Sequence, residues 1–154
     1  MPIRLESLDS SEKVHVAVKH DATWAMTAAA LKQKRGNFSW PLVVRKADGS
    51  YAAVRFQAVV EAGEIPPDTL AEALPGLAPV EAVEMNSIST GTAWDKVNAS
   101  KTRLLVVTKA GKFAGTMAEG VIRGDGGLPT TKLDQLAGGV VDLSKLSSFL
   151  LDEA

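Results

Sequence analysis

The chain of 154 residues is long enough for one compact domain or for two small halves that share a core. Its 45% apolar and 23% charged residues are ordinary for a globular protein, and its net charge of −1 gives no general attraction to nucleic acid or anionic membranes. The absence of cysteine excludes disulfides, thiol catalysis and cysteine-based metal sites.

No apolar run of the sequence approaches the roughly 18 residues that a membrane-spanning helix needs. The first residues also lack the apolar core of a secretion signal. We therefore expect a soluble, cytoplasmic protein with no membrane and no nucleic acid among its partners.

The first part of the sequence carries the patterns of five regular elements. In chain order we predict a strand, an alanine-rich helix, two hairpin strands and a second helix, at residues 14–18, 24–35, 42–44, 51–54 and 56–62. The pair Asp48 and Gly49 is a strong tight-turn signal between the two hairpin strands. Gly36 and Gly63 follow the two helices, where glycine commonly ends a helix.

The second part repeats this order after a proline-rich connector with its own short helix at residues 69–74. We predict an opening strand, a helix, two hairpin strands and a last helix, at residues 80–85, 92–97, 104–108, 113–117 and 118–123. Residue identities repeat as well, because residues 42–44 match 105–107 and Tyr51 matches Phe113. Agreement between the residues and the element order indicates an internal repeat.

These patterns divide the chain into a first repeat (11–67), a second repeat with its connector (68–124) and a C-terminal extension (125–154). The extension is predicted to end in an amphipathic helix with four apolar residues on one side, Leu143, Leu146, Phe149 and Leu150. This face either covers an open edge or groove of the same domain, docks on a partner protein or closes a homodimer.

The order of strand, helix, apolar strand, hairpin and helix in both halves resembles a tandem cystathionine-β-synthase (CBS) domain pair, often called a Bateman module. The resemblance covers roughly residues 11–124. It implies an α/β fold of two pseudo-symmetric strand-helix-strand-strand-helix repeats packed sheet against sheet, to which this chain adds a C-terminal helical extension. It also implies a cleft that commonly holds an adenosine nucleotide, dimerisation into a disc, and regulation of an enzyme or transporter.

The sequence departs from this family where the nucleotide is bound. In nucleotide-binding members the second hairpin strand commonly runs Gly-x-x-Thr/Ser-x-x-Asp into the helix, and the hydroxyl and carboxylate hydrogen-bond the ribose. The matching positions are Ala53, Phe56 and Val59 in the first repeat and Gly115, Ala118 and Val121 in the second. The comparison therefore predicts that the usual nucleotide site is lost. A shift of the second alignment by two residues instead places Thr116 and Glu119 on the motif.

A hydroxyl-rich loop before the predicted helix 92–97 is another candidate site. Its members are Ser87, Ser89, Thr90 and Thr92. Together with Arg103 or Lys101 the loop suits a small anionic ligand, because a helix N-terminus presents free N–H groups. The preferred interpretation of the same residues is an ordinary helix cap.

No catalytic or metal site is predicted. His15 and His20 are the only histidines, and their separation puts them on opposite faces of a strand, so we expect both to be structural or solvent-facing. Trp24 and Trp94 each begin the predicted helix of their repeat, which suggests equivalent packing places in the core.

We therefore expect a non-enzymatic regulatory or protein-interaction module that acts in trans on a partner protein and forms a homodimer. It needs no cofactor, and the usual adenosine-nucleotide site is lost. The alternative is a sensor that keeps an adenosine nucleotide or another small ligand in the cleft between the repeats.

Overall fold

A computed structural model describes residues 15–33, 40–118 and 147–151 of the chain. The predicted helix at 118–123 lies outside them except for its first residue. Glu119, Val121, Leu143 and Leu146 also lie outside the described residues.

The first sheet has four strands in the order β1 (Val16–Lys19), β2 (Pro41–Arg45), β3 (Tyr51–Arg55) and β4 (Ala78–Val80). β1 runs parallel to β2, whereas β2, β3 and β4 pair in antiparallel fashion. The parallel pair needs a crossover, which α1 (Trp24–Gln33) provides. The apolar run of β2 is buried throughout, as expected for a strand covered on both faces.

The second sheet has three strands, β5 (Ala82–Glu84), β6 (Leu104–Lys109) and β7 (Lys112–Ala118). β5 runs parallel to β6, and α3 (Thr90–Ala99) is the crossover between them. The β6–β7 hairpin repeats the β2–β3 hairpin of the first sheet.

The predicted single strand at 80–85 is wrong, because two strands occupy this stretch. β4 joins the first sheet beside β3, and β5 joins the second sheet beside β6. Only Glu81 separates them, so the chain passes from one sheet to the other within a single residue. An apolar pattern shows that a segment is extended, but it does not show which sheet the segment joins.

Helices cover the outer face of each sheet, and the inner faces pack together. α1 and α2 (Phe56–Glu61) contribute to an outer core on the first sheet, and α3 contributes to one on the second. Between the sheets lies an inner core that includes Ala17 and Val43 from one side and Val106 from the other. The predicted α/β fold of two packed units is confirmed in this arrangement.

Several helix boundaries differ from the prediction. α3 spans ten residues instead of six, because the side chain of Ser89 caps it and accepts a hydrogen bond from the N–H of Thr92. The connector holds only one 3-10 turn at Ala71–Ala73. Ala118, predicted to begin the last helix, ends β7. The described part of the predicted C-terminal helix is a 3-10 turn at Ser147–Phe149 followed by Leu150, which forms a β-bridge with Val18 and so is not helical.

The two hairpins differ in register. The turn of the second hairpin is one residue shorter, but β7 contains a bulge, because Phe113 pairs with Thr108 while Gly115 pairs with Val107. The extra residue that the bulge adds to β7 compensates for the shorter turn. As a result, Ala118 lies opposite Leu104 in the second sheet just as Arg55 lies opposite Pro41 in the first.

Candidate ligand-binding cleft

A cleft of about 380 Å³ lies where the two sheets meet, at the ends of both hairpins. The start of β2, the end of β3, the start of α2, the turn before β4, the loop before β6 and the end of β7 form its walls. The lining residues are Pro41, Ala53, Val54, Arg55, Ala58, Gly76, Ala78, Lys101, Thr102, Arg103, Leu104 and Ala118. Most of these side chains are small, which leaves room between the sheets.

The charged side chains that line the cleft among the described residues are all basic: Arg55, Lys101 and Arg103. No aspartate or glutamate is among these lining residues. A concave surface lined by one sign of charge raises the local concentration of ions of opposite sign. The described wall of the cleft therefore favours an anion.

The loop that carries Lys101 and Arg103 is held by the end of α3. The Ser100 hydroxyl donates to the carbonyl of Val97 at 3.2 Å and accepts from the N–H of Leu104 at 3.2 Å. The carbonyl of Ser100 accepts from the N–H of Arg103 at 3.3 Å. Arg103 has a φ of 55°, a left-handed conformation that costs energy for any residue other than glycine. Such backbone strain persists only where the surrounding structure enforces it.

Arg55 is placed by the start of α2. It is the N-cap residue of this helix, and the next N–H, from Phe56, donates to the carbonyl of Trp40 at 3.1 Å. The ring of Phe56 packs on Trp24 at a centroid distance of 5.9 Å, and Phe56 and Val59 are fully buried in the outer core. Because these two residues face inward, Arg55 and Ala58 are left facing the cleft.

This geometry corrects the predicted alignment of the first repeat. Phe56 and Val59 lie in the core, so the residues at the cleft with the same three-residue spacing are Arg55 and Ala58. Neither offers a hydroxyl or a carboxylate to a ribose. In the second repeat, Ala118 does line the cleft, as the unshifted alignment predicts.

Gly76 forms part of the wall before β4. Its φ of 81° is left-handed, and a Cβ atom at this position would lie 3.2 Å from Cγ2 of Val54. A larger residue would therefore be strained here by the backbone conformation and would crowd Val54 on β3. The turn fixes where β4 enters the first sheet and thereby closes one side of the cleft.

Thr116 faces the interior instead of the cleft. Its hydroxyl lies 3.0 Å from Nδ1 of His15, and both residues are buried. The imidazole also meets the ring of Phe113 edge-on at a centroid distance of 5.6 Å. This contact joins the segment before β1 to β7 in the second sheet. His15 has the structural role that its position predicted.

The hydroxyl-rich loop lies at the other end of α3. Ser89 Oγ accepts from the N–H of Thr92 and donates to the Thr92 hydroxyl, at 3.1 and 2.9 Å. Ser87 Oγ donates to the carbonyl of Glu84 at 2.7 Å. Thr90 begins the helix. A ten-residue helix is about 15 Å long, so the fold does not bring this loop together with Arg103.

The described part of the C-terminal apolar set lies on the chain's own first sheet. Phe149 and Leu150 pack against the outer core of that sheet, and the neighbouring Leu151 is buried in the inner core. The sequence analysis missed Arg55, Ala58 and Leu151. The predicted start of α2 at Phe56 is correct, so Arg55 and Ala58 were missed because the start of a helix does not show which of its faces is buried.

Two classes of feature are not found within the described ranges. No three histidine, aspartate and glutamate side chains come together there in a way that could hold a metal ion. None of the helices in the described part of the chain combines the length and the apolar character needed to cross a bilayer.

The arrangement of two sheets, three helices and a cleft is similar to that of several solved structures. A CBS domain protein from Pyrobaculum aerophilum, solved in complex with AMP, is 20% identical with a TM-score of 0.52, and the match covers 77% of this chain and 87% of that one. A CBS-pair protein from Arabidopsis thaliana is 16% identical with a TM-score of 0.51, covering 75% and 87% of the two chains. The chain has the fold of a tandem CBS domain pair.

A third CBS structure covers more of this chain. The CBS domain of a bacterial CNNM/CorC-family Mg²⁺ transporter is 12% identical with a TM-score of 0.53, and the match spans 90% of this chain and 76% of that one. No protein-family model and no curated protein sequence matches the chain. The likeness is therefore one of CBS-pair fold, and the cleft described above is the cleft between its two repeats.

Proposed function

We propose that this chain is a non-enzymatic regulatory module that binds a small anionic molecule in the cleft between its repeats and acts in trans on a partner protein. The observation that carries the proposal is the set of basic side chains in the cleft wall, Arg55, Lys101 and Arg103, with no acidic side chain among the described lining residues. A bound anion would lie between the two sheets, so its affinity would depend on how they pack.

The chemistry of the wall favours an anion over a nucleoside. Arg55 and Ala58 occupy the cleft positions where a ribose would need a hydroxyl and a carboxylate. An arginine donates hydrogen bonds and accepts none, so it pairs well with a phosphate or carboxylate group but cannot accept from the ribose hydroxyls as a carboxylate does. In this proposal the phosphates of a ligand are recognised and its ribose is not.

The cellular setting of this proposal is the cytoplasm, with a homodimer as the working assembly. The partner protein is the target of regulation, and the anion changes how well the module binds it. No catalytic step is assigned to the chain, and no resident cofactor is required.

Thermal unfolding in the presence of paired ligands tests the proposal. Tripolyphosphate and ATP should raise the melting temperature by similar amounts, whereas adenosine should leave it unchanged. At a ligand concentration 100 times the dissociation constant, binding stabilises a protein by about 2.7 kcal/mol, which is a readily measured shift. Arg55→Ala should abolish the shift, and Lys112→Ala, an exposed lysine on β7 away from the cleft lining, should keep it.

The outcomes of this experiment separate the candidates. A shift with ATP and none with tripolyphosphate would mean that base or ribose is read, as in an adenosine-nucleotide sensor. That outcome would agree with the AMP bound to the Pyrobaculum aerophilum protein. If no ligand shifts the melting temperature of a protein that unfolds cooperatively, the ligand-binding proposal is wrong and a second candidate function is favoured.

The second candidate is a module that has lost ligand binding and works only through protein–protein contacts. The observation in its favour is the absence of ribose acceptors at Arg55, Ala58 and Ala118. Its test is the same ligand panel, combined with measurement of partner binding by the wild-type chain and by Arg55→Ala. Equal partner binding by the two proteins would support this candidate.

A further inference from the structure

The outer edge of β1 is covered by the C-terminal residues of the chain. β1 pairs with β2 on its inner side. On its other side, Leu150 forms an antiparallel bridge with Val18, and the N–H of Leu151 donates to the carbonyl of Ala17 at 3.0 Å. Leu150 and Leu151 therefore lie along the edge of the first sheet and pair with β1 through an isolated β-bridge.

The side chains of these C-terminal residues enter both cores. Leu150 and Phe149 pack against the outer core beside the helices, whereas Leu151 is fully buried in the inner core between the sheets. Leu150 and Leu151 therefore point to opposite faces, as successive side chains of a strand do, whereas Phe149 belongs to the 3-10 turn that precedes them. The β1 edge thus offers a row of backbone groups flanked by two apolar recesses of leucine size.

We propose that the β1 edge is a peptide-binding groove. Residues 149–151 fill it within the same chain, and an extended segment of a partner protein with two successive leucine-sized side chains fills it in their place. Backbone pairing at a sheet edge supplies affinity for any extended segment, and pockets for alternate side chains supply selectivity. The described strand pairing comprises one bridge and one backbone hydrogen bond, so a longer partner strand can compete for the edge.

The groove at the β1 edge is separate from the proposed ligand cleft, and peptide binding there does not depend on a ligand in the cleft. None of Ala17, Val18, Leu150 and Leu151 lines the cleft. The groove is a surface through which a partner would be bound, and the chain's own C-terminal residues act as an internal competitor.

The first experiment compares peptide binding by the wild-type chain and by the full-length variant Leu151→Asp. The probe is a fluorescently labelled peptide with the sequence of residues 147–154, and its binding is measured by fluorescence anisotropy. An aspartate cannot enter the dry inner core, so the variant should release its own segment and expose the groove. We expect the probe to bind the variant at least about tenfold more tightly than it binds the wild type, in which the groove is filled.

A peptide that itself carries Leu151→Asp is the matched control and should bind neither protein. Equal binding of the unmodified probe to the wild type and the variant would overturn the proposal, as would no binding to a variant that folds. Circular dichroism establishes the folding of the variant. Equal binding by both peptides would also overturn it, because the recess for Leu151 would then have no role.

A disulfide between positions 18 and 150 provides a second test. It holds the C-terminal segment in the groove, whereas the aspartate of the first test releases it. Val18 and Leu150 form the type of antiparallel pair that lacks direct hydrogen bonds, since Leu151 bonds to Ala17 just beyond them. In such pairs the Cα atoms are close, about 4.5 Å apart, which suits a disulfide. The chain has no cysteine, so Val18→Cys with Leu150→Cys creates a single possible link.

The oxidised double variant should form a monomeric cross-link and bind the peptide no better than the wild type does. Reduction should increase peptide binding, because the shorter cysteine side chain fills the outer recess less well than the native Leu150 does. Equal binding before and after reduction would overturn the proposal. A disulfide-linked dimer on a non-reducing gel would also overturn it, because the segment would then occupy the groove of a second copy.

Discussion

The turn of the first hairpin is held mainly by its own residues, with one added bond from the N–H of Ala47 to the carboxylate of Glu72 at 3.3 Å. The turn of the second hairpin is held by a carboxylate 26 residues earlier in the chain. In the first turn, Asp48 Oδ1 accepts from the N–H and the hydroxyl of Ser50, at 2.9 and 2.6 Å. In the second turn, the carboxylate of Glu84 on β5 accepts from the N–H groups of Ala110 and Gly111, at 3.1 and 2.9 Å. The first turn is thus supported mainly by bonds within the turn, and the second, shorter turn is supported by the parallel neighbour strand.

The electrostatics of the two turns reflect this difference. The hydroxyl and then the N–H of Ser50 lower the pKa of Asp48 below its ordinary value of 3.8. The N–H of Gly111, followed by that of Ala110 and the hydroxyl of Thr108, lowers the pKa of Glu84 below its ordinary value of 4.5. Both shifts have the same cause, hydrogen bonding to the charged form.

The outer cores of the two repeats also differ. Trp24 is the first residue of α1, is 1% exposed and packs on Phe56. Trp94 is the fifth residue of α3 and is only partly buried. The prediction that the two tryptophans occupy equivalent places is wrong, because α3 begins earlier than predicted. The strand pairing of the repeat is therefore preserved more closely than the helix packing that covers the strands.

Truncation of the two tryptophans should give the largest contrast between the repeats. Trp24→Ala leaves a cavity in a closed core, and we expect the free energy of unfolding to fall by about 3–5 kcal/mol. Trp94→Ala removes a partly exposed side chain and should cost about half as much or less. Urea denaturation, monitored by circular dichroism, measures the loss of unfolding free energy in both variants. Equal losses would mean that the second outer core is as closed as the first.

The buried contact between the repeats should come next in size. Thr116→Val removes the hydroxyl that faces Nδ1 of His15 and leaves a buried polar atom without this partner, so we expect a loss of about 1–3 kcal/mol in unfolding free energy. Thr27→Val is the matched control, because the Thr27 hydroxyl donates to the carbonyl of Trp24 within the same helix. The control should cost about 0.5–1 kcal/mol. A larger loss for Thr27→Val would show that the bond between the repeats contributes little.

Glycine substitutions in the turns should change the free energy of unfolding in opposite directions in the two repeats. Ala110 has a φ of 53°, which an alanine adopts only at a cost. Ala110→Gly should therefore raise the unfolding free energy, by up to about 1 kcal/mol. Asp48→Gly should lower it, because the bonds to Ser50 are lost and the unfolded chain gains freedom. The thermal midpoints of the two variants measure these effects, and shifts of the same sign would contradict the comparison.

The smallest expected effects concern the free energy of unfolding at acidic pH. A lowered pKa means that the folded state binds the proton less tightly than the unfolded chain does. Each carboxylate therefore stabilises the fold above its ordinary pKa, and this stabilisation is lost as the pH falls through the lowered value. For Glu84 the loss begins near its ordinary pKa of 4.5, and for Asp48 it begins near 3.8.

Neutral variants separate the two carboxylates. Glu84→Gln should flatten the acid limb of a plot of unfolding free energy against pH, beginning near pH 4.5. Asp48→Asn should flatten it only at lower pH. Urea denaturation at a series of pH values measures both limbs. An unchanged acid limb in Glu84→Gln would show that the bonds to the second turn do not stabilise the folded state.

The sequence alone determined the elements that depend on local interactions. The buried strand at Leu42, the tight turn at Asp48 and Gly49, and the start of α1 at Trp24 all follow from neighbouring residues, and all are present in the structure. The internal repeat followed as well, because both hairpins keep the same apolar residues. These signals are local in the chain, so they do not require knowledge of what packs on them.

Only the tertiary structure decided the features that depend on one residue of register or on distant partners. The bulge in β7, the passage between sheets at Glu81 and the inward turn of Phe56 are set by pairing and packing across the fold. A shift of one residue exchanges the buried and exposed faces of a strand. For this reason the basic wall of the cleft at Arg55, and the place of Leu151 at the β1 edge, became visible only once the sheets were assembled.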